Sequence, residues 1–441
     1  MSSLLIDSLA TTDALSALFS DASVLQAFLD VEVALAAAEA QGGAIPQRAA
    51  DAIRDAARAD RFDPAAIARA ARESGTLTIP LVKALTAQVE QIHPASSRFV
   101  HFGATSQDIA DTALVLLLTR ARPVLAADHD RLVRDLRALS DRHAQSVMLA
   151  RTLLQPAPPI TFGLKAAQWV SAVARSWARV ARAFEEMAVV QFGGASGTLA
   201  ALGSSALDIR KRLAAGLQLA EPPAPWHTER DRLAALVAAL AIYTAALGKI
   251  ARDISLLMQD EVGEAAEPGG SSSTMPHKRN PAGCAIVLAA AARMPGLTAS
   301  LLTAMVQEHE RGVGGWHAEW PIVASAVQTA GAAVAASAGV AAGLTVSPER
   351  MRANLERTNG AVFAERIVML AAPAAGKEAA QALAAAALSR SRETGQRLDE
   401  VLKTLPEAAT LLSSDQIESM AVPEAYLGAA ETFRRKLLAE A

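Results

Sequence analysis

Along most of this chain, apolar and polar residues recur with the period of a helix. Leu132, Leu136 and Leu139 share one side of a turn-by-turn pattern, while Arg131, Arg134, Asp135 and Arg137 take the other. That is the mark of a helix with one face to a core. Alternating β-branched runs between turn residues are nearly absent, so strands are not expected. Five long helices are predicted, at roughly 109–146, 163–190, 228–261, 281–311 and 320–344. Shorter helical pieces precede them, broken by "GGAIP" (42–46), "FDP" (62–64) and the polar "IHPASSRFVHFGATSQD" (92–108). Short helices return from about 356, with Pro406 and Pro423 among them.

The expected fold class is therefore all-α. It comprises an N-terminal helical domain (1–111), a central bundle of five long helices (112–355) and a C-terminal helical domain (356–441). Two stretches break the amphipathic rule. "LAALVAALAIYTAALG" (233–248) is short for a membrane span of ~20 residues. Ile322 to Val346 carries no charge, but it is built of Ala, Gly, Ser, Thr and Val. A helix without a charged face must be buried all round, and small residues favour close helix packing over lipid. The expectation is burial inside an oligomer, with no membrane.

Composition agrees. The 441 residues exceed what one hydrophobic core organises, and the 51% apolar content is mainly Ala, Leu and Val, with aromatics at 4%. Alanine and leucine head the helix scale. A net charge of −3 gives no general pull toward nucleic acid or anionic membrane, so an anionic ligand needs a local site. The single cysteine, Cys284, excludes an internal disulfide and permits a reducing cytoplasm. The start "MSSLLIDSLATTD" has an early Asp7 and no basic stretch before an apolar one, so no signal peptide is expected.

The chemistry concentrates in "GGSSSTMPHKRNP" (269–281). Ser271, Ser272, Ser273 and Thr274 supply hydroxyls beside a Gly269-Gly270 hinge, and His277, Lys278 and Arg279 supply positive charge. Asn280 can cap the helix that follows, and Pro281 fits its first turn. A helix N-terminus with a lysine makes an anion site. The pattern is not a phosphate loop, because no Gly precedes Lys278 and no Ser or Thr follows it. Composition alone equally allows a solvated Gly/Ser loop.

"SSTMPHKRNP" resembles the signature loop of the aspartase/fumarase superfamily, whose members add or eliminate across a Cα–Cβ bond beside a carboxylate. "HFGATSQDIADTA" (101–113) and "ARTLLQPAPPITFGLK" (150–165) resemble the family's other two regions, in the right order. The resemblance covers nearly the whole chain. It implies a homotetramer with the long helices in one tetrameric core, each active site drawing its three regions from three subunits. It also implies Ser272, six residues before Lys278, as the catalytic base, with Lys278 and Asn280 gripping the carboxylate. Thr152, Gln155, Arg279, His101, Thr105, Ser106, Gln107 and His309 join them as substrate-binding residues. No cofactor is implied.

The reaction explains these residue types. A proton lost or gained beside a carboxylate passes through a doubly charged aci-carboxylate, which fixed donors and a cation must meet in a dry site. Making serine a base at neutral pH takes roughly 8 kcal/mol of differential stabilisation, more than one exposed lysine supplies. The loop must therefore close and exclude water.

Other titratable residues receive plainer readings. Asp108 and Asp111 are expected to cap the helix that follows them. His93, His129, His143 and His227 are expected on helix surfaces or in loops. His317 is a weaker candidate than His309. Glu261, Glu264 and Glu267 are read as a solvated helix end, one carboxylate steering Lys278. No clustered His/Cys ligand set appears, so no metal is expected.

Two branches of the superfamily carry such loops, adenylosuccinate lyases and bacterial carboxymuconate cycloisomerases. "LFSDASVLQAFLDVEVALAAAEAQGGAIP" (18–46) and "QEHERGVGGWHAEW" (307–320) resemble the second, which acts on a small polyanionic carboxylate in protocatechuate breakdown. The middle region departs from both, with Pro156 and Leu153 where they place histidines. A departing amine or hydroxyl needs an acid worth ~10²–10⁴-fold. A carboxylate leaves without one, so the departure favours the cycloisomerase branch. An adenylosuccinate lyase and a catalytically silent homologue remain the alternatives.

Overall fold

The computed structural model describes residues 4–271, 274–275 and 278–441. Within them the chain is helical, and the five long helices lie where the periodicity predicts. They are α2 (Ser106–Arg142), α3 (Phe162–Met187), α4 (Asp231–Leu257), α5 (Ala282–Ala304) and α6 (Gly315–Gly343), preceded by the N-terminal α1 (Asp21–Gln41). The residues divide into two compact units, to both of which each of α2 to α6 contributes. The first holds residues up to Asp130, Ser176–Gly248 and Ile286–Ser337, and the second holds Arg131–Arg175, Lys249–Ala285 and Ala338–Ala441.

In the first unit the small residues of α6 act as the sequence suggests. A Cβ at Gly331 would overlap Leu15, so a bare backbone there lets the Asp13–Leu18 helix close in. His129 of α2 is not a surface residue but a core one. It is 6% exposed, stacks on Trp177 with ring centres 4.6 Å apart, and its Nδ1 lies 3.1 Å from the Tyr243 hydroxyl. Burial pushes its pKa down to about 4, although Asp130 pulls the other way.

In the second unit a core of Leu149, Leu355, Phe363, Ile367, Leu383, Leu398 and Val401 gathers the short C-terminal helices. His143 also proves buried. It packs edge-on to Phe162 at 5.5 Å, and burial lowers its pKa, with Arg142 adding to the effect.

Strands were not expected, yet 147–161 forms a hairpin of β1 (Val147–Thr152) and β2 (Gln155–Thr161). The register runs antiparallel from Val147↔Thr161 to Thr152↔Gln155, with an irregularity between Leu149 and Ala150. Pro156, Pro158 and Pro159 hide it from pattern reading, because proline cannot donate to a ladder. With only two strands, each strand keeps a free edge where a missing N–H costs nothing. A second sheet pairs Ala265–Ala266 with Thr345–Val346.

Among the described residues three helices, α4, α5 and α6, are long and apolar enough to cross a membrane by length and composition alone. In α4 and α6, 61% of the most apolar window is buried within the chain, but in α5 only 22%.

Candidate active site

The first candidate region leads into α2. His101 takes φ 60° and Gly103 φ 70°, two left-handed residues in the turn that precedes the helix. The His101 Nδ1 lies 2.7 Å from Oε1 of Glu32 on α1. Thr105 accepts a hydrogen bond on its hydroxyl from Arg311 at 2.7 Å, leaving its own O–H free to donate. Ser106 is half-buried, its carbonyl accepting from Thr78 at 3.0 Å. Gln107 is fully buried. Its amide donates to the His227 carbonyl at 2.7 Å and to Asp111 at 3.1 Å, so it braces this wall from behind.

Asp108 caps, as expected, by accepting from the Thr105 N–H at 3.0 Å. It does much more. Gly193 and Gly194 each donate an N–H to it at 2.9 Å, and His227 Nε2 reaches it at 2.7 Å. His227 lies in a loop, one of the two placements expected, but it is buried there as a partner, 4% exposed. Gly193 must be glycine, since a Cβ would stand 2.7 Å from Pro225 and 2.8 Å from the His227 ring.

Asp111 is not a cap at all. It takes both Nη atoms of Arg230, at 2.7 and 3.0 Å, and the Trp316 indole N–H at 3.0 Å. Arg230 also grips Glu319 at 2.6 Å, and neither side chain of that pair is exposed. One guanidinium thus faces two carboxylates. Burial holds Glu319 above the ordinary carboxylate range despite Arg230. Such a buried triad is costly to break, about 3–5 kcal/mol when one partner is removed. His309 is exposed at φ 49°, and its carbonyl accepts from Thr228 at 3.0 Å.

The second and third regions belong to the other unit. Thr152 and Gln155 stand directly across the hairpin and are both exposed. Between them Leu153 and Leu154 make the turn with φ 50° and 65°, where asparagine and glycine are the usual occupants. The hairpin is fixed near its turn by Arg151, which donates to both oxygens of Glu264 at 2.9 and 2.7 Å. Asn354 donates to Glu264 at 2.8 Å as well.

Glu264 and Glu267 are therefore not a solvated helix end. They are 0% and 1% exposed. Glu267 accepts the N–H groups of Gly283 at 2.7 Å and Cys284 at 3.0 Å, so it caps α5 in place of Asn280. Beside it, burial and then Glu267 itself push the Cys284 thiol up to about 12. Lys278 and Arg279 are exposed, and Asn280 is half-buried. Ser272 and His277 lie outside the described residues. The described residues hold no group of His, Cys, Asp and Glu fit for a metal.

A lyase family model matches residues 8–296. The chain belongs to this family, the aspartase/fumarase superfamily. It is 46% identical to a protein of Bradyrhizobium diazoefficiens named 3-carboxy-cis,cis-muconate cycloisomerase, covering 96% of this chain and 95% of the relative. A Streptomyces davaonensis protein named nitrosuccinate lyase is 42% identical, over 93% of this chain and 89% of the relative. The crystal structure of a 3-carboxy-cis,cis-muconate lactonizing enzyme from Pseudomonas putida superposes with a TM-score of 0.94 at 41% identity, with 99% of each chain covered.

For this superfamily member, the sequence candidates fall into two groups. His101, Thr105, Ser106, Gln107 and His309 lie in the first unit, and Thr152, Gln155, Lys278, Arg279 and Asn280 in the second. Pattern reading missed Glu32, Arg230 and Arg311. Glu32 had a legible signal, a carboxylate among Phe28, Leu29, Val31 and Leu35 on a helix whose apolar side is buried. Arg230 and Arg311 had none, since Arg230's carboxylate partners lie 119 and 89 residues away and Arg311's partner Thr105 lies 206 away.

Proposed function

We propose that this chain is a 3-carboxy-cis,cis-muconate cycloisomerase, adding a substrate carboxylate across a carbon–carbon double bond to form a carboxymuconolactone. The observation that carries the proposal is 46% identity over nearly the full length to a protein of that name. In this reading neutral Ser272 protonates the α-carbon. Lys278 and Asn280 hold the charge that develops, and Thr152, Gln155, Arg279, His101, Thr105, Ser106, Gln107 and His309 hold the rest of the substrate. Pro156 supports it, because a ring-closing carboxylate needs no proton donor when the reaction is read backwards.

The working form in this proposal is a soluble cytoplasmic homotetramer with three-subunit active sites and domains at 1–111, 112–355 and 356–441. Its support is the largely unburied apolar stretch of α5 and the charge-free run of α6.

A second reading, elimination from nitrosuccinate, is favoured by the nitrosuccinate lyase relative. Nitrite, like a carboxylate, leaves as a stable anion, so Pro156 is equally at home there. The test is ultraviolet loss of 3-carboxymuconate with purified protein, set beside loss of nitrosuccinate and of adenylosuccinate. Faster turnover of either rival by tenfold or more in kcat/KM rejects the proposal.

A further inference from the structure

We infer that Glu32 is a positioning residue for His101, holding the ring as a fixed imidazolium whose Nε2–H serves a substrate carboxylate. The inference rests on the proposed function for the identity of that substrate and on the geometry for the rest. Glu32 is 1% exposed and His101 18%, so the open side of the pair is the histidine's. With Nδ1–H donated to Glu32 at 2.7 Å, the remaining ring donor is Nε2, which makes no other hydrogen bond among the described residues. His101 reaches this position through a left-handed backbone, φ 60°, which a residue with a Cβ adopts only under strain. The fold holds a strained backbone where it delivers the ring to the buried carboxylate.

The charges around the ring favour its protonated form. Burial alone would discharge it. Glu32 from α1, through its charge and its hydrogen bond, and Asp108 from α2 outweigh that, so the pKa lies above the ordinary 6.5. A raised histidine pKa means the cation persists until pH climbs through that higher value. Glu39, two turns along α1, adds no competing charge at neutral pH. Burial, with Glu32 beside it, pushes Glu39 up to about 9. Asp108 spends its oxygens on three N–H groups and His227. Among the described residues, Glu32 is thus the one carboxylate bonded to the ring. A substrate with three carboxylates needs a cation besides Lys278, and this pair supplies one without a mobile side chain.

The experiment is Glu32→Gln in the full-length assembled protein, with pH profiles of 3-carboxymuconate turnover. The expected result is a fall in kcat/KM of at least tenfold at pH 8, carried by KM, and threefold or less at pH 6, where acid restores the ring's charge. His101→Gln should lose equally at both pH values, and the double variant should be no worse. An equal loss for Glu32→Gln at pH 6 and pH 8 would mean that Glu32 only supports the fold, and overturns the inference.

If Glu32→Gln does not fold, ¹⁵N-histidine spectra of the wild-type protein decide. Both ring nitrogens of His101 should carry protons at pH 7.5, and the Nε2 signal should move when tricarballylate, a non-reacting tricarboxylate, is added. A neutral His101 ring, or an unmoved signal with saturating tricarballylate, rejects it. These spectra do not depend on turnover, so they also separate this inference from a failure of the cycloisomerase reading.

Discussion

The Asn280 N–H donates to the Gly270 carbonyl at 2.6 Å, closing the neck of the signature loop. Ser271 and Arg279 form an antiparallel bridge just beyond it. Gly270 sits at φ 72°, and a Cβ there would run into the Asn280 carbonyl. Gly270→Ala is therefore expected to lower kcat at least a hundredfold while far-ultraviolet dichroism stays the same. Retention of a third or more of wild-type kcat would show that the neck is not needed for turnover.

Ser272 is the proposed proton donor. Ser272→Ala should nearly abolish turnover with thermal stability unchanged, and Ser271→Ala should do less. A residual kcat of a tenth or more would move the assignment elsewhere. Turnover should also survive a strong chelator.

Pro156→His tests the missing acid. The expected change in lactonisation is under about tenfold, far from the ~10²–10⁴ of a general acid. A moderate loss fits as well, because proline stiffens the strand it sits in. A hundredfold rise in kcat at constant Tm would mean that a histidine does chemistry here, and that another substrate suits the protein better.

Glu39 lies 1% exposed with neither carboxyl oxygen bonded, and burial lifts it to about 9. A carboxyl raised in the folded state contributes fully to folding below its unfolded value near 4.5, and that contribution is lost progressively as pH rises from there to about 9. Glu39→Met should stabilise the protein, more at pH 8 than at pH 5, by a margin on the order of 2–4 kcal/mol. Urea unfolding at the two pH values measures it. Parallel curves would show that Glu39 ionises normally.

The most apolar stretch of α5, of which 22% is buried in one chain, predicts an assembly. Light scattering at micromolar concentration should give four times the chain mass. A well-folded monomer would remove the basis for shared active sites.

Some of this was legible in the sequence and some was not, for physical reasons. The long helices declared themselves because alanine and leucine at helical spacing leave few alternatives. The loop at 269–281 stood out as polar chemistry in an apolar chain. The hairpin was hidden because "QPAPPIT" reads as a breaker, and its turn uses Leu153 and Leu154 instead of turn formers. The buried charges were misread most. Asp111, Glu264 and Glu267 look solvated in a linear pattern. What buries them is a partner such as Arg230, 119 residues from Asp111, and spacing carries no trace of it.

One carboxylate, Asp108, ties together three stretches distant in sequence: Thr105, the pair Gly193 and Gly194, and His227. Were any one of them to swing out, a buried charge would lose a donor at a cost of order 1–3 kcal/mol, and the loss of all would approach that of a broken ion pair. The opening of each is thereby penalised by the others. The three stretches are therefore expected to open as a single cooperative patch, their backbone amides exchanging with solvent at a common free energy although they lie up to 122 positions apart.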